Sequence, residues 1–296
     1  MESHKTLREM LDRKELIVAP GAYDALTAKI VEAQGFDAVY MTGYGTCASS
    51  FGFPDMGLLT LTEMVQNASR MADAVGIPLI ADADTGYGNP INVVRTVREY
   101  EKAGVSAIHI EDQVWPKKCG HMTGKRVIDS GDMVGKVKAA VDSRKSSDFL
   151  IIARTDAMAT HGFEQAIERG HLFAEAGADI IFIDAPTTIE QVKRIPSLIT
   201  EKPVLINLGP NTPNLSEKEL EGLGYAMVIY PGICLAAAIT ACIEELRTVK
   251  ERGSQRDYGQ WIQSFIELNN FLGVHQYLEL ENRFKNGEGE SVNSDG

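Results

Sequence analysis

The chain has 296 residues, 44% of them hydrophobic and 24% charged, with 41 acidic against 29 basic side chains and a net charge of -12 at pH 7. That length suits one large α/β barrel or two ordinary domains, and that charge argues against a nucleic-acid or anionic-membrane partner, whose surfaces are bound by clustered lysine and arginine. No apolar run reaches the length of a membrane span, and the opening "MESHKTLREMLDRKEL" is charged and helix-like rather than a secretory signal, so the cytoplasm is expected.

Short apolar, β-branched runs then recur in order: "LIVAPG" from Leu16, "DAVYMTG" from Asp37, "PLIADAD" from Pro78, "SAIHIED" from Ser106, "FLIIARTD" from Phe149, "DIIFIDAP" from Asp179, "PVLINL" from Pro203 and "AMVIYP" from Ala226. Between them lie stretches with apolar residues at helical spacing, such as "NVVRTVREYEKAG", "MVGKVKAAVDSRK", "FEQAIERGHLFAEAG" and "TIEQVKRIPSLI", several closed by glycine. Buried-type strands alternating with helices predict a parallel sheet, and eight such units predict a closed (β/α)8 TIM barrel. After the eighth run the chain adds helical material, "CLAAAITACIEELRTVKERG" and "YGQWIQSFIELNNFLGVHQYLELENRF". The expectation is a single barrel domain with a carboxy-terminal helical extension over 1–286 and a disordered tail over 287–296.

A barrel carries its chemistry at the carboxyl ends of its strands. There the sequence places Asp82 and Asp84 after the third run, Glu111 and Asp112 after the fourth, Arg154 and Asp156 after the fifth, Asp184 after the sixth and Asn207 after the seventh. Any one of these acids is explained as a helix cap or a surface loop. Five strand ends together predict a rim of carboxylates, and oxygen ligands without histidine favour magnesium or manganese over zinc.

The stretch "KKCGH" stands apart. The four cysteines, Cys47, Cys119, Cys234 and Cys242, form no C-x-x-C pair and no zinc spacing, so they are read as thiols, three of them packing residues. Around Cys119, Lys117, Lys118 and His121 supply positive charge that favours a thiolate, and Gly120 supplies flexibility for a lid. A cysteine whose ionisation is tuned by its neighbours is one reading of the stretch; a metal-ligand pair of Cys119 with His121 and a solvated turn that happens to contain them are the others.

The segments "MTGYG", "PDMG", "ADADTGYG", "HIEDQ", "KKCGH", "ARTDA" and "YP", in that order along nearly the whole chain, resemble the isocitrate lyase and phosphoenolpyruvate mutase superfamily. The resemblance implies an eight-stranded barrel whose last helix is exchanged with a neighbouring subunit, a dimer-of-dimers homotetramer, and a magnesium ion holding an α-keto or α-hydroxy acid. It assigns Thr42, Gly43 and Tyr44 to the loop that binds the keto-acid carboxylate, Asp55, Asp82, Asp84 and Glu111 to the metal environment, and Arg154 to the bound oxyanion. It makes "KKCGH" a mobile loop and Cys119 the acid that protonates the departing enolate. Gly120, His121, Asp184 and Asn207 face the substrate in this reading, and Tyr44 is the candidate base, with simple substrate positioning as its other role.

Within the superfamily, Cys119 favours a carbon–carbon lyase over a phosphonate-forming mutase. Methylisocitrate lyase resembles this chain up to "YP" but carries an arginine six residues after that tyrosine, where Ala236 stands here; a second arginine falls, by ungapped counting, near Phe265. A pocket without those cations should reject a third carboxylate and prefer an alkyl group, because burying an unpaired carboxylate is costly. Two further departures are Asp184, where methylisocitrate lyase has glutamate, and a shorter loop after Asn207. The implied reaction is an oxo-acid-lyase cleavage of an alkyl-substituted malate, 2,3-dimethylmalate giving pyruvate and propionate. The alternatives are a 2-methylisocitrate lyase whose third carboxylate is held by other residues and a carboxyphosphonoenolpyruvate or phosphonopyruvate-type mutase. A barrel kept only as a scaffold is disfavoured because the acids, Arg154 and the cysteine loop are all present.

Overall fold

A computed structural model of the chain describes residues 6–120, 122–255 and 258–285. All eight apolar runs are strands: β1 (Ile17–Ala22), β2 (Val39–Met41), β3 (Leu79–Asp82), β4 (Ala107–Glu111), β5 (Leu150–Thr155), β6 (Ile180–Ile183), β7 (Val204–Asn207) and β8 (Met227–Tyr230). Neighbours pair in parallel in chain order, and Ile17 to Pro20 of β1 pair with Met227 to Tyr230 of β8, which closes the barrel.

The helices are α1 (Leu7–Asp12), α2 (Ala25–Ala33), α3 (Gly43–Thr46), α4 (Leu61–Ala74), α5 (Pro90–Lys102), α6 (Ser130–Ser143), α7 (Met158–His161), α8 (Phe163–Glu175), α9 (Ile189–Leu198), α10 (Glu217–Leu223), α11 (Ile233–Arg252), α12 (Tyr258–Phe271) and α13 (Val274–Lys285), with a π-helical turn at Cys47–Phe51. Their starts are written locally. Thr60 with Glu63, Thr188 with Gln191 and Ser216 with Glu219 form capping boxes that satisfy backbone donors at the first turns of α4, α9 and α10. Gly104 and Gly177, at φ of 83° and 101°, turn the chain out of α5 and α8 toward the next strand.

The period of two along each strand divides the core into two layers. Ile17, Ala19, Tyr40, Ile80, Leu150, Ile152, Ile180, Phe182, Leu205, Met227 and Ile229 fill the barrel interior, with Leu7 of α1 buried among them. The alternate residues, among them Val39, Leu79, Ile108, Ile110, Ile151, Ile181 and Val228, belong to the outer layer with Val93, Val97, Phe173 and Val192 of the helices.

Residues through Ala237 form one compact unit, the barrel, and residues from Ala238 form a second, helical one. The second unit carries exposed apolar side chains, including Leu246, Phe265, Tyr277 and Phe284. Among the described residues no helix is long and apolar enough to cross a membrane. The expected tail over 287–296 lies outside the described residues.

Candidate active site

The parity that fills the barrel also builds its mouth. Continuing the inward phase one step beyond the apolar layer brings Thr42 after Tyr40, Asp82 after Ile80, Glu111 after His109, Arg154 after Ile152, Asp184 after Phe182 and Asn207 after Leu205 to the carboxyl rim. Each is buried. All of them but Asp184 line a cavity of about 290 Å³ whose polar wall includes Thr42, Tyr44, Asp55, Asp82, Glu111, Lys117, Cys119, Gly120, Arg154 and Asn207, and whose apolar wall includes Met122, Pro210, Ile229 and Pro231.

On the acidic side, Asp82 Oδ1 accepts the backbone N–H of Asp84 at 2.9 Å and lies 3.4 Å from His109 Nε2. Gly43 passes so close that a Cβ there would lie 2.4 Å from Asp82 Oδ2, which explains glycine at this point of the loop. Lys117 is buried, and its Nζ bridges Asp55 Oδ1 at 2.6 Å and Asp84 Oδ1 at 2.8 Å. This corrects the expectation that Lys117 charges the Cys119 sulfur: its ammonium is committed to two carboxylates. Burial, then the charges of Asp82 and Asp55, pushes the Asp84 carboxyl up to about 7 against the pull of Lys117.

Glu111 is the least compensated acid. Its Oε2 lies 3.4 Å from Arg154 Nε, while its buried Oε1 has no hydrogen-bond partner among the described residues, and burial with the charges of Asp156 and Asp82 holds its pKa well above the carboxylate range. Among the described residues no three His, Cys, Asp or Glu side chains stand close enough to hold a metal by themselves. Magnesium does not need such a cage, since it binds through one or two carboxylates and keeps water and substrate oxygens. An orphaned carboxylate oxygen beside Asp82, in a set of oxygen donors, fits that cation.

On the basic side, Arg154 donates from Nε to Asp156 Oδ2 at 2.9 Å and from Nη2 to Asp156 Oδ1 at 3.0 Å and Asp184 Oδ2 at 2.9 Å. Its guanidinium lies 5.2 Å above the Phe182 ring. Burial would raise Asp156, but Arg154 and Lys125 outweigh it and hold the carboxyl well below the usual range. Asp184 is fully buried behind the cavity wall, bound to Arg154 and, at 3.2 Å, to Asn207 Nδ2. Its place is thus next to the groups that line the cavity.

In the cysteine loop, the Cys119 N–H donates to the Asp55 carbonyl at 3.0 Å, and Gln113 grips both backbone groups of Lys118. Gly120 is required by closeness rather than by flexibility: a Cβ there would meet Asp184 Oδ2 at 2.1 Å and Arg154 Nη2 at 2.6 Å. His121 lies outside the described residues. The half-exposed Tyr44 stands at the cavity wall.

One participant escaped the sequence reading: Asp156 is placed at the rim with Arg154, but Lys125, whose Nζ reaches Asp156 Oδ1 at 2.8 Å, has no signal in the sequence at all. Asp112 has the opposite phase from Glu111 and faces outward, where it binds Thr155 Oγ1 at 2.6 Å and Arg169 of α8 at 2.9 Å.

The family model described as phosphoenolpyruvate phosphomutase matches residues 7–250. The chain belongs to the phosphoenolpyruvate mutase/isocitrate lyase superfamily. Among superfamily relatives, the 2,3-dimethylmalate lyase of Eubacterium barkeri is 49% identical over 289 residues, covering 97% of this chain and all of that one. A crystal structure of a 2,3-dimethylmalate lyase superposes with a TM-score of 0.88 at 36% identity, covering 97% of each chain. Phosphonopyruvate hydrolase in complex with oxalate and Mg++ superposes with a TM-score of 0.86 at 32% identity, covering 96% of this chain and 99% of the other.

Proposed function

We propose that this superfamily member is a magnesium-dependent carbon–carbon lyase that cleaves an alkyl-substituted malate, with 2,3-dimethylmalate giving pyruvate and propionate. One observation carries the substrate choice. Among the described residues lining the cavity the only cations are Lys117, already ion-paired with Asp55 and Asp84, and Arg154, already ion-paired with Glu111, Asp156 and Asp184, while Met122, Pro210, Ile229 and Pro231 supply an apolar wall. A third substrate carboxylate would enter without a partner, and an alkyl group would not. The 49% identity to the Eubacterium barkeri enzyme supports the same reading.

Asp82, with Asp84 and Glu111 around it, would hold the magnesium ion, which supplies Lewis-acid polarisation of the substrate hydroxyl and carboxylate oxygens. Arg154 Nη1, which has no hydrogen-bond partner among the described residues, presents two donors for a substrate oxyanion, and the backbone of Thr42 and Gly43 receives the keto-acid carboxylate. Tyr44 accepts the hydroxyl proton. The C2–C3 bond breaks, its electron pair passes to C3, and Cys119 delivers its proton there, so that pyruvate and propionate leave with all atoms accounted for. Asn207 and His121 complete the substrate contacts in this scheme.

The exposed apolar side chains of α11 to α13, such as Leu246, Tyr277 and Phe284, support a homotetramer in which these helices are covered by a neighbouring subunit. A cytoplasmic location belongs to the same reading. The test is pyruvate release from 2,3-dimethylmalate and 2-methylisocitrate side by side, in magnesium buffer with and without chelator. Faster chelator-sensitive release from dimethylmalate is expected; preference for methylisocitrate would refute the unpaired-carboxylate argument.

A further inference from the structure

Lys125 follows the cysteine loop, five positions after Gly120, and has no part in the chemistry described above. Its ammonium-bearing side chain is only 2% exposed, and a buried charge needs partners. It has two. Nζ donates to Asp156 Oδ1 at 2.8 Å and to the carbonyl oxygen of Gly120. Asp156 in turn receives Arg154 through both of its oxygens. One ammonium therefore joins the residue next to the Cys119 thiol to the carboxylate that orients the guanidinium.

The base of the loop is held from both limbs: Asp55 accepts the Cys119 N–H and Gln113 holds Lys118 on the amino-terminal side, and the Arg126 carbonyl on the other accepts the Val114 N–H at 2.8 Å. At the tip an anchor of its own sets the depth of the turn in the cavity, because Gly120 has no side chain with which to hold itself against Arg154 and Asp184. Lys125 is placed to be that anchor. We propose that Lys125 is a positioning residue: by clamping the Gly120 carbonyl to the Asp156–Arg154 pair it keeps the Cys119 thiol and the Arg154 guanidinium at one working separation. Its effect on turnover rests on the reading of Cys119 as proton donor, whereas the clamp itself does not.

Removing the ammonium should leave the fold standing. Asp156 keeps both bonds from Arg154 and donates its own backbone N–H to Asp112 Oδ1 at 2.9 Å, and the Gly120 carbonyl lies in a partly exposed residue that water reaches. The experiment compares wild type, Lys125→Met and Lys125→Arg by iodoacetamide labelling of Cys119, followed by peptide mass spectrometry, and by steady-state cleavage of 2,3-dimethylmalate. In Lys125→Met the Cys119 labelling rate should change by about tenfold, the effect of withdrawing a hydrogen bond to a charged group from a closed conformation. The same variant should lose about 10- to 100-fold in kcat with KM little changed, the signature of a misplaced reacting group, and Lys125→Arg should restore most of both. Equal labelling rates in wild type and Lys125→Met would overturn the clamp whatever happens to turnover. So would simultaneous labelling of the buried Cys47, which would mean general loosening rather than release of one turn. A changed labelling rate with turnover intact would keep the clamp and count against Cys119 as the acid.

Discussion

Lys117 and Asp84 face each other across 2.8 Å, Nζ to Oδ1, with side chains 3% and 5% exposed. The same ammonium holds Asp55, so one cation balances two buried acids. Lys117→Met should therefore destabilise the metal-free protein by about 3–5 kcal/mol, the cost of stranding buried charge. Magnesium should recover part of that loss. Chemical denaturation with EDTA and with magnesium measures both; an unchanged midpoint in EDTA would mean that the acids find another partner.

Acidity at the same place gives a second expectation. Asp84 titrates at about 7 in the folded chain against an ordinary value of 3.8, chiefly through burial. A raised carboxyl contributes stability that is complete below its unfolded pKa and is lost as pH rises through the folded one. A bound cation replaces that proton, so the rise in Tm produced by saturating magnesium should grow between about pH 6 and pH 8. Thermal melts across that range decide it, and a gain that does not vary with pH would contradict the assignment.

Cys119→Ser keeps the size of the side chain and removes an acid of suitable strength. Turnover should fall by about 10²- to 10⁴-fold, the usual contribution of a positioned proton donor. Pyruvate and magnesium binding, followed by calorimetry, should be retained. Comparable turnover in the two proteins would take the proton-transfer role away from this residue.

For Gly120→Ala the prediction separates function from folding. The added methyl would fall 2.1 Å from Asp184 Oδ2, so the turn must withdraw from Arg154. Activity should drop by about 10²-fold for a displacement near 1 Å, while Tm moves only a few degrees because the turn is part of the cavity wall and not of the core. A large fall in Tm with the specific activity of the folded fraction intact would argue the reverse.

Specificity should respond at Ala236. It stands one helical turn beyond Gly232, a residue of the cavity wall, and its N–H bonds the Gly232 carbonyl at 2.9 Å. Ala236→Arg should raise the 2-methylisocitrate to 2,3-dimethylmalate ratio of kcat/KM by about tenfold or more, roughly what one charge-assisted hydrogen bond provides. A ratio that stays put would remove this position from substrate choice.

The sequence was legible wherever a fixed period carried the information. All eight strands could be read from their apolar runs, and the charged rim follows because Asp82, Glu111 and Arg154 continue the inward phase of Ile80, His109 and Ile152. Partnerships between distant segments could not be read. Nothing local to "KKCGH" says that Lys117 turns inward to Asp55 and Asp84 while Lys118 stays at the rim, where its Nζ reaches the Thr123 carbonyl at 3.4 Å. Gly120 was misread for a related reason: composition suggests freedom for a glycine, and only the folded chain reveals the oxygen of Asp184 beside it.

The lining of the cavity comes from two parts of the barrel. Asp82, Glu111, Arg154, Asn207 and Ile229 sit on strands whose alternation is tied to the packed interior, whereas Tyr44, Cys119, Met122, Pro210 and Pro231 belong to segments beyond the strand ends. A slip of one residue in a strand would exchange these polar groups for core residues, so the strand-borne acids and the Arg154 guanidinium are frozen by the demands of folding. The loop residues carry no such constraint. Heritable change in what is cleaved can therefore accumulate in the loops while the charge arrangement on the strands is preserved, and a single ancestral barrel can diversify its diet without rebuilding its rim.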